Sequence, residues 1–458
     1  MCGIAGFCNF KENFEENTDY WNFRLEKMRA VLAHRGNDAR GRFLKKHIGL
    51  SHSRLAIRDI LCGDQPMTRT HNGYDYTICY NGEIYNTDEL IPELSENGFV
   101  CSTTSDTEVI LYAYIHWGAD FVSRLNGIFA FAIWDAAKNR LLLYRDRVGV
   151  KPLFYAIRGD SLVFGSEPKA CFAHPDVKPE LDKQCLQELL AIGPAHTSGL
   201  SLFKDLFEVL PGHFMIYSKD GLHDETYWEL TSREHTDSYR DTVAHTRFLV
   251  EDAIKRQMVS DVPVCTFLSG GIDSSIVTAI AANYMNTRGK TLNTFSFDFK
   301  DNDRYFKANA FQPERDLPYV NRMLEEYETA HSYLECDENA LFKALFAAVD
   351  AKDMPGMTDV DSSLLYFCSL VSRKNKVALT GECADEIFGG YPWFYRKELL
   401  ERYGFPWSSD VAPRLALLRN DVALELDLSD YQAFRYEESR RSEEHTSELQ
   451  SRDSISYA

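Results

Sequence analysis

The sequence predicts an α+β domain with antiparallel sheets, followed by an α/β domain with a parallel sheet. In the first half, short apolar runs end in turn signals, for example residues 77–80 before Asn81-Gly82. This alternation is typical of layered antiparallel folds. In the second half, the apolar run 263–268 leads into a glycine-rich loop and then into helical periodicity, an order typical of parallel sheets. The chain of 458 residues has room for more than one domain, since a domain takes roughly 100–200 residues.

The composition excludes several classes of partner. The formal net charge is −19, which argues against a nucleic-acid-binding surface because such a surface needs a basic footprint. The sequence has no run of about 18 apolar residues, so no membrane span is expected. The 11 cysteines are scattered without zinc-type spacing, and no signal peptide precedes Cys2. We therefore expect reduced cysteines and a cytoplasmic protein without nucleic-acid or membrane partners.

The first candidate functional residue is Cys2, which follows the initiator methionine and precedes Gly3. Removal of Met1 would leave a thiol and a free α-amine on one residue. An α-amine has a pKa of about 7.7–8.0 and a thiol about 8.5, so the amine can take the thiol proton without a separate histidine. A lone cysteine at this position is more often an ordinary small residue. The hypothesis of a nucleophile therefore depends on the residues that follow.

Three further features of the first half have both a structural and a functional interpretation. Asn81-Gly82 is a strong hairpin signal, Ser105-Asp106 is a typical helix N-cap, and Arg54 has the character of a surface charge. Together with Cys2 they also fit a substrate with a side-chain amide, an α-carboxylate and an α-ammonium, such as glutamine. The Asn81 side chain and the Gly82 N–H would form an oxyanion hole. Arg54 would bind the carboxylate and Asp106 the ammonium.

The first half resembles the class II glutamine amidotransferase domain. The resemblance depends on segments that occur in the order typical of that family: Cys2–Gly6, His34–Asp38, Asn81–Asn86, Ser105–Asp106, Arg145–Phe154, Ser166–Lys169 and Leu210–His213. It implies a domain over residues 2–217 with the N-terminal-nucleophile fold, in which two antiparallel sheets lie between helices. By resemblance, Glu83 joins the glutamine-binding residues. Asn37 departs from the family, which usually has proline there.

The second half contains a predicted anion site. Residues 231–239 predict a linker and residues 241–257 a helix. The apolar run 263–268 predicts a buried strand that leads into Ser269-Gly-Gly-Ile-Asp-Ser-Ser275, and residues 276–285 predict a helix. Backbone N–H groups and the helix dipole converge on an anion at such a turn. Gly289-Lys-Thr291 lacks the first glycine of a Walker A loop and is interpreted as a chance match.

Two motifs of the second half resemble those of ATP pyrophosphatases and of asparagine synthetases. Ser-Gly-Gly-x-Asp-Ser is the pyrophosphate-loop signature of the first group, and residues 379–391 resemble the second signature of the other. The resemblance implies ATP binding by Leu268, Ser269, Gly270, Gly271, Asp273, Ser274, Ser275, Phe297, Thr380 and Gly381. It also implies Mg²⁺ binding by Asp273 and Asp385, and a proton-accepting role for Glu382. Cys383 replaces the usual glycine, so a positive φ would be strained there.

The two resemblances together imply ATP-dependent asparagine synthesis from aspartate, with glutamine as the ammonia donor. Cys2 would form a thioester, and aspartate would be activated as β-aspartyl-AMP. One alternative is a relative with another acceptor, such as a β-lactam-forming synthetase or an amidotransferase that acts on a peptide or sugar precursor. Further alternatives are a glutaminase without synthetase activity, a nucleotide-sensing regulatory protein and a tRNA-modifying pyrophosphatase. The oligomeric state, including a homodimer, stays open.

The last residues of the chain differ in character from the rest. Residues 441–451 match the translation of a common sequencing-adapter oligonucleotide, and residues 455–458 match the adapter bases that follow its index. We therefore expect an incomplete synthetase domain over residues 236–440 and a non-native tail over residues 441–458. A natural polar terminus is the alternative. The glutaminase-only hypothesis follows from the incomplete second domain.

Overall fold

The computed structural model describes residues 1–308, 314–408, 410–445 and 455–456. The chain divides into two compact units, Met1–Ser232 with Asp410–Ala458, and Arg233–Ser409. Among the described residues, no helix is both long and apolar enough to cross a membrane. Among the described residues, no cysteine forms a disulfide bond.

The first unit is built on two antiparallel sheets. Its strands within residues 1–232 are β1 (Gly3–Asn9), β2 (Ala39–Lys45), β3 (Ile48–Arg54), β4 (Met67–His71), β5 (Tyr74–Ile84), β6 (Gly127–Asp135), β7 (Arg140–Arg145), β8 (Phe154–Arg158), β9 (Ser161–Gly165), β10 (His196–Thr197), β11 (Phe207–Glu208), β12 (His213–Ser218) and β13 (Gly221–Thr226). One sheet has the order β11-β8-β9-β1-β3-β2 and the other β13-β12-β7-β6-β5-β4. The predicted antiparallel sheets are confirmed, and the apolar run 77–80 lies in β5.

Helices cover the outer faces of both sheets. They are α1 (Thr18–Ala30), α2 (Thr87–Glu96), α3 (Asp106–Trp117), α4 (Pro168–Phe172) and α5 (Lys183–Gln187), with shorter helical turns at Phe14–Asn17, Ala33–Arg35, Ala119–Arg124 and Glu188–Ile192. Leu25 and Met28 of α1 pack on the first sheet, while α2 and α3 pack on the second. Between the sheets, Leu50 of β3 shares a core with Leu143 of β7. The predicted sandwich of two sheets between helices is therefore confirmed.

The second unit contains a parallel sheet with the order β16-β15-β14-β17. Its elements are α6 (Tyr239–Arg256), β14 (Val264–Phe267), α7 (Ile272–Asn286), β15 (Leu292–Phe299), α8 (Asn302–Tyr305), α9 (Leu317–Glu326), β16 (Thr329–Cys336), α10 (Glu338–Lys352), α11 (Thr358–Val371), β17 (Val377–Leu379), α12 (Ala384–Phe388), a helical turn at Pro392–Phe394, and α13 (Lys397–Leu400). All three strand pairs are parallel, as predicted. Small apolar clusters on the two sides of β14 form its core, one around Ala281 and one around Phe367.

The chain then returns to the first unit with α14 (Ala412–Leu415), α15 (Asn420–Leu426), α16 (Leu428–His445) and β18 (Ile455–Ser456). Arg414 donates to the carbonyls of Leu190 (3.0 Å) and Gly193 (2.8 Å), which satisfies the open end of the helical turn 188–192. Arg435 pairs with the buried carboxylate of Glu188 at 3.2 Å, and Tyr431 donates to the same carboxylate. Residues 410–439 thus supply charges and donors that buried groups of the first unit require, and the predicted bounds of the second domain stay a prediction.

The predicted non-native tail over residues 441–458 lies largely outside the described residues. The structure describes residues 441–445 as the end of α16 and residues 455–456 as a strand beside β10. The origin of the tail stays a prediction.

Candidate active site

A pocket opens in the first unit between several strands and loops. Its walls come from the start of β1, the loop after β3, the end of β5, the start of α3 and the loop after β7. The structure brings together in this pocket every residue predicted for the glutamine site: Cys2, Arg54, Asn81, Gly82, Glu83 and Asp106. These residues are spread over positions 2 to 106 of the sequence, so the fold brings them together.

The thiol of Cys2 lies just before β1, where backbone groups hold it. The N–H of Leu55 donates to Sγ at 3.4 Å, and Arg35 Nε donates to the Cys2 carbonyl at 2.8 Å. Burial raises the pKa of the thiol, whereas the Leu55 N–H and the nearby N-terminal charge lower it. A base is therefore needed to produce the thiolate.

Met1 is present, so the free α-amine belongs to Met1 and the α-nitrogen of Cys2 is a peptide nitrogen. Burial lowers the pKa of the Met1 amine to about 5. The Lys151 Nζ lies 3.2 Å from the Met1 Sδ, within the pocket wall. The predicted base, the α-amine of Cys2, would exist only after removal of Met1.

The Asn81-Gly82 pair lies inside β5, so the hairpin interpretation is wrong. A Cβ on Gly82 would lie 2.3 Å from the Ile128 carbonyl, which leaves room only for glycine. Opposite Gly82, Phe129 uses both its N–H (3.1 Å) and its carbonyl (2.8 Å) to bond Asp146. The Gly82–Phe129 pair is therefore a non-hydrogen-bonded pair, and the N–H of Gly82 points away from β6.

Neighbouring N–H groups show what this edge of β5 offers. The N–H of Tyr80 donates to Gln65 Oε1 at 2.6 Å, and the N–H of Ile84 donates to Asp106 Oδ2 at 3.1 Å. The Gly82 N–H lies between the N–H groups of Tyr80 and Ile84 on the same edge of β5. The residues of β5 that pair with β4 end at Ile78, before this point. The strand therefore presents a backbone donor at the pocket wall.

Asn81 adds a second donor at the pocket wall. Its side chain is 1% exposed, and within the described part of the chain its Nδ2 has no hydrogen-bond partner. A buried donor without a partner costs about 1–3 kcal/mol, so such groups are rare outside functional sites. Two donors side by side on the wall that faces Cys2 can stabilise a developing oxyanion.

Two carboxyl groups, Asp106 and Glu83, give the pocket its negative charge. Asp106 Oδ2 accepts hydrogen bonds from the Tyr80 hydroxyl (2.8 Å) and the Ile84 N–H (3.1 Å). Burial raises the pKa of Asp106, and the charge of Arg58 opposes that rise. Burial and then the charge of Asp106 raise the pKa of Glu83 to about 8. The pair therefore holds its charge only with help from neighbouring cations.

Arg54 is buried, so its interpretation as a surface charge is wrong. Its guanidinium donates to the carbonyls of Arg58 (3.3 Å) and Ile60 (3.2 Å) and to Asp64 Oδ1 (3.0 Å). These bonds fold the loop 58–64 beside the pocket. Ser105 caps α3 by accepting from the Thr107 N–H at 3.3 Å, so the cap interpretation holds beside the functional one.

The sequence analysis missed Arg58, Gln65 and Lys151, which also line the pocket. Lys151 lies within the segment 145–154 that supports the resemblance, which was the available signal. Its pKa is lowered by burial. Arg58 and Gln65 belong to the loop that follows β3, and no local pattern marks them.

In the second unit, the predicted anion loop follows β14 and precedes α7. Gly270 has φ +85°, and a Cβ there would lie 2.8 Å from that of Tyr319. Ser269 and Ser274 are 3.0 Å apart between their hydroxyl oxygens, and Ser274 also bonds the Gly271 carbonyl at 3.1 Å. The loop therefore closes on itself and leaves the N-terminus of α7 open. Asp273 and Ser275 lie in the first turn of that helix.

The second motif approaches the same helix. A Cβ on Gly381 would lie 2.8 Å from the Asp273 Cβ and 2.9 Å from the Ser274 nitrogen. Cys383 has φ +69°, the left-handed region in which a non-glycine residue is strained, as anticipated from the sequence. The Thr380 hydroxyl accepts from the Glu382 N–H at 3.4 Å. Residues 380–383 thus form a tight turn against the start of α7.

Carboxylates from both motifs repel one another. Burial raises the pKa of Asp385, with further contributions from the charges of Asp273 and Glu386. Burial likewise raises the pKa of Glu382, followed by the charges of Glu386 and Asp385. No group of three or more metal-ligating side chains occurs within the described ranges. The carboxylates of Asp273 and Asp385 nevertheless fit Mg²⁺, which usually takes one or two carboxylates together with substrate phosphates and waters.

Two residues of the predicted ATP site serve the core in this structure. The Leu268 N–H donates to the Phe295 carbonyl at 2.8 Å, and the Leu268 carbonyl accepts from the Ser296 hydroxyl. The ring of Phe297 packs against Phe367, with ring centroids 5.2 Å apart. Their roles in nucleotide binding stay predictions.

Family models match both parts of the chain. A model described as a glutamine amidotransferase domain matches residues 1–228, and one described as asparagine synthase matches residues 245–457. The two matches meet near the boundary at residues 232 and 233 that separates the compact units.

Several curated proteins are similar over most of this chain. Asparagine synthetase (glutamine-hydrolyzing) 3 of Bacillus subtilis is 47% identical over 439 residues, which cover 96% of this chain and 70% of that protein. Asparagine synthetase (glutamine-hydrolyzing) 1 of the same organism is 34% identical, with coverage of 87% and 60%. Amidase chyE of Penicillium rubens is 32% identical, with coverage of 89% and 61%.

Proposed function

The chain belongs to the glutamine-hydrolysing asparagine synthetase family, and on that premise we propose that it makes asparagine from aspartate, ATP and glutamine-derived ammonia. The observation that carries the first half of this proposal is the pair of donors at the pocket wall. The unpartnered Asn81 Nδ2 and the Gly82 N–H line the same pocket as the Cys2 thiol. That arrangement suits attack on an amide carbonyl better than it suits any structural role.

In the proposed glutaminase reaction, the Cys2 sulfur attacks the side-chain carbonyl carbon of glutamine. The α-amine of Cys2, freed by removal of Met1, takes the thiol proton and passes it to the leaving nitrogen. The C–N bond breaks, ammonia leaves and a thioester remains. Water then hydrolyses the thioester to glutamate. Asn81 and Gly82 stabilise the oxyanion in both steps, while Asp106 and Glu83 bind the α-ammonium.

In the proposed synthetase reaction, a side-chain carboxylate oxygen of aspartate attacks the α-phosphorus of ATP, and pyrophosphate leaves. The resulting β-aspartyl-AMP is attacked by ammonia at its carbonyl carbon, and AMP leaves. The loop 269–275 and the N-terminus of α7 bind the pyrophosphate oxygens. Glu382 accepts a proton from the attacking ammonia, and its raised pKa suits that role.

Asp273 and Asp385 would hold Mg²⁺. When bound, the ion supplies positive charge that neutralises the pyrophosphate and lowers the repulsion between these two carboxylates. The pKa of Asp385 is raised partly by the charge of Asp273, which is the electrostatic situation that a cation would relieve.

The test uses the full chain and its Cys2→Ala variant in two assays. Glutamine hydrolysis measured by glutamate release should be lost in the variant. Pyrophosphate release with aspartate, ATP and ammonium should be retained. Loss of both activities in a folded variant would contradict this division of labour. Glutamine hydrolysis without any aspartate-dependent pyrophosphate release would support the glutaminase half of the proposal and contradict the synthetase half.

A second candidate is a relative with another acceptor. This second candidate is supported by the similarity to a protein named as an amidase, which is 32% identical over 89% of this chain. Pyrophosphate release measured across a panel of carboxylic acids distinguishes the two. Release with another acid and none with aspartate would favour the second candidate.

We also propose that the protein acts in the cytoplasm. No cysteine in the described part of the chain forms a disulfide bond, which favours a reducing compartment. Fractionation of the host cells with an antibody against the chain tests this location.

A further inference from the structure

Arg58 brings a guanidinium to the acidic side of the pocket. Its side chain is 16% exposed and lines the pocket with Asp106 and Glu83. The Arg58 Nη1 lies 3.9 Å from Asp106 Oδ2, close enough for strong electrostatic attraction in a buried site. No part of the proposed reaction yet uses this cation.

The position of this guanidinium is fixed by hydrogen bonds. Nη1 donates to the Ile84 carbonyl at 2.9 Å, and Nη2 donates to the Thr87 hydroxyl at 3.3 Å. The N–H of Ile84 donates to Asp106 Oδ2 at 3.1 Å. Arg58 therefore binds the carbonyl of the same residue whose N–H binds the carboxylate, which fixes both around one point of β5.

The charge balance around Asp106 depends on this residue. Burial raises the pKa of Asp106, and Arg58 is the strongest opposing influence. For Glu83, burial and the charge of Asp106 raise the pKa, while Arg58 and Lys151 lower it. The titratable and charged groups around this pair include Arg58, Lys151, the Tyr80 and Tyr85 hydroxyls, the Cys2 thiol and the N-terminal amine.

We propose that Arg58 is a positioning residue for substrate recognition, which keeps Asp106 charged and in place so that it can bind the α-ammonium of glutamine. This inference rests on the proposed glutaminase function. Arg58 itself touches no reacting atom. It acts through Asp106, so its loss should affect binding of glutamine more than the chemical step.

The sign of the pH effect follows from the direction of the pKa. Without the Arg58 charge, the pKa of Asp106 rises further above its ordinary value, so the carboxyl stays protonated up to a higher pH. Protonated Asp106 binds an ammonium group poorly, so the KM for glutamine rises most at low pH. As the pH increases, Asp106 ionises and the KM returns toward that of the wild type.

The experiment compares Arg58→Gln with Arg58→Lys. The glutamine side chain at position 58 can still donate to the Ile84 carbonyl but carries no charge. The lysine side chain keeps the charge but cannot donate from two nitrogens as arginine does. The KM and kcat for glutamine hydrolysis are measured from about pH 6 to 9, a range in which a carboxyl with a raised pKa titrates. Arg158→Met, which removes a cation outside the pocket, is the matched control, and thermal melting checks that each variant folds.

For Arg58→Gln we expect a KM increase of about tenfold or more at the low end of the range, equivalent to one unit of pKa, shrinking as the pH rises. The kcat should change little. Arg58→Lys and the control should keep the wild-type pH profile. Hydrolysis of glutaramate, which is glutamine without its α-amino group, should be equally fast in all variants.

An equal KM increase at every pH, a fall in kcat at constant KM, or an equal defect with glutaramate would overturn the inference. Each of these results would indicate a purely structural role. If Arg58→Gln does not fold, Arg58→Lys tests the inference alone. A pH profile of its KM for glutamine that differs from that of the wild type would overturn the inference. Absence of glutamine hydrolysis by the wild-type chain would overturn the proposed function together with this inference.

Discussion

The two units of the chain place their functional groups by different physical means. Around the first pocket, buried side chains from separate elements come together, and the Tyr80 hydroxyl of β5 donates to the Asp106 carboxylate of α3. In the second unit, the loops 268–271 and 380–383 take their shape from local backbone conformations at Gly270 and Cys383. The cores differ in the same sense: of the largest fully buried side chains in the described residues, only Phe295 belongs to the second unit.

This difference teaches where each site is vulnerable. A site built by long-range burial depends on the charge and hydrogen-bond partners of interior residues. A site built by short loops depends on whether individual backbone positions can take the required φ or the required close approach. The following changes either separate these two cases or show that the distinction is wrong.

The largest effect is expected for Arg145→Met in the first unit. Arg145 pairs with Glu208 at 2.7 Å, and the two side chains are 3% and 4% exposed. Removing Arg145 takes the permanent cation from the buried Glu208 carboxylate and leaves it the His196 ring at 3.1 Å, so the free energy of unfolding should fall by about 3–5 kcal/mol. Denaturant unfolding of the full chain measures this.

The matched control for this change lies in the second unit. Arg247 pairs with Glu251 on α6 at 3.2 Å, with its side chain 80% exposed. Arg247→Met should cost no more than about 0.5 kcal/mol, because water screens an exposed pair. Equal costs for the two variants would contradict the comparison.

The next effect is expected for Asn81→Leu, which changes activity without a loss of stability. The kcat for glutamine hydrolysis should fall about 10²–10³-fold, the usual effect of losing one oxyanion donor. The melting temperature should stay the same or rise, because Nδ2 is a buried donor without a partner. A parallel fall in kcat and stability would instead indicate that Asn81 supports the sheet.

A smaller effect is expected for Gly381→Ala in the second unit. The new Cβ would meet Asp273 and Ser274 at under 3.0 Å, and such overpacking costs about 1–3 kcal/mol. Aspartate-dependent pyrophosphate release should fall, since the change displaces the start of α7. Glutamine hydrolysis by the same variant is the internal control and should not change. A fall in both activities would show that the two sites do not respond separately.

The smallest effect is expected for Cys383→Gly, which should stabilise the second unit by about 0.5–1 kcal/mol. A non-glycine residue in the left-handed region is destabilised by about 1–2 kcal/mol. The greater conformational freedom of glycine in the unfolded chain offsets part of the stability gained by relieving this strain. Thermal unfolding measures the difference. Cys383→Ala removes the thiol but keeps the strained backbone, so it should not stabilise the unit. Stabilisation by alanine would contradict an origin in the backbone.

Much of the local structure could be predicted from sequence because its signals are local. The helix start predicted at Ser105-Asp106 coincides with the observed start of α3, since the serine cap directly precedes its first residue. The strand before the anion loop and the helix after it are also where the pattern indicated. These elements depend on residues within a few positions of one another, so one sequence is enough to identify them.

The remaining features depend on contacts between distant parts of the chain. Asn81-Gly82 has the local preference of a turn, but pairing with residues 129 and 130 of β6 keeps it extended. Arg58 reaches the pocket because α2 and β5 meet there. The return of residues 410–439 depends on Glu188, more than 220 positions earlier, and no periodicity encodes such a partner.

That return has a consequence for how the second unit unfolds. Because the chain leaves the first unit after Ser232 and rejoins it at Asp410, both ends of the second unit are tied to a folded body. When only the second unit unfolds, its residues form a closed loop, which has fewer conformations than a free tail. The second unit is therefore stabilised through its unfolded state. A single cut in the polar stretch 229–238 would open the loop and weaken the unit without removing any contact within it.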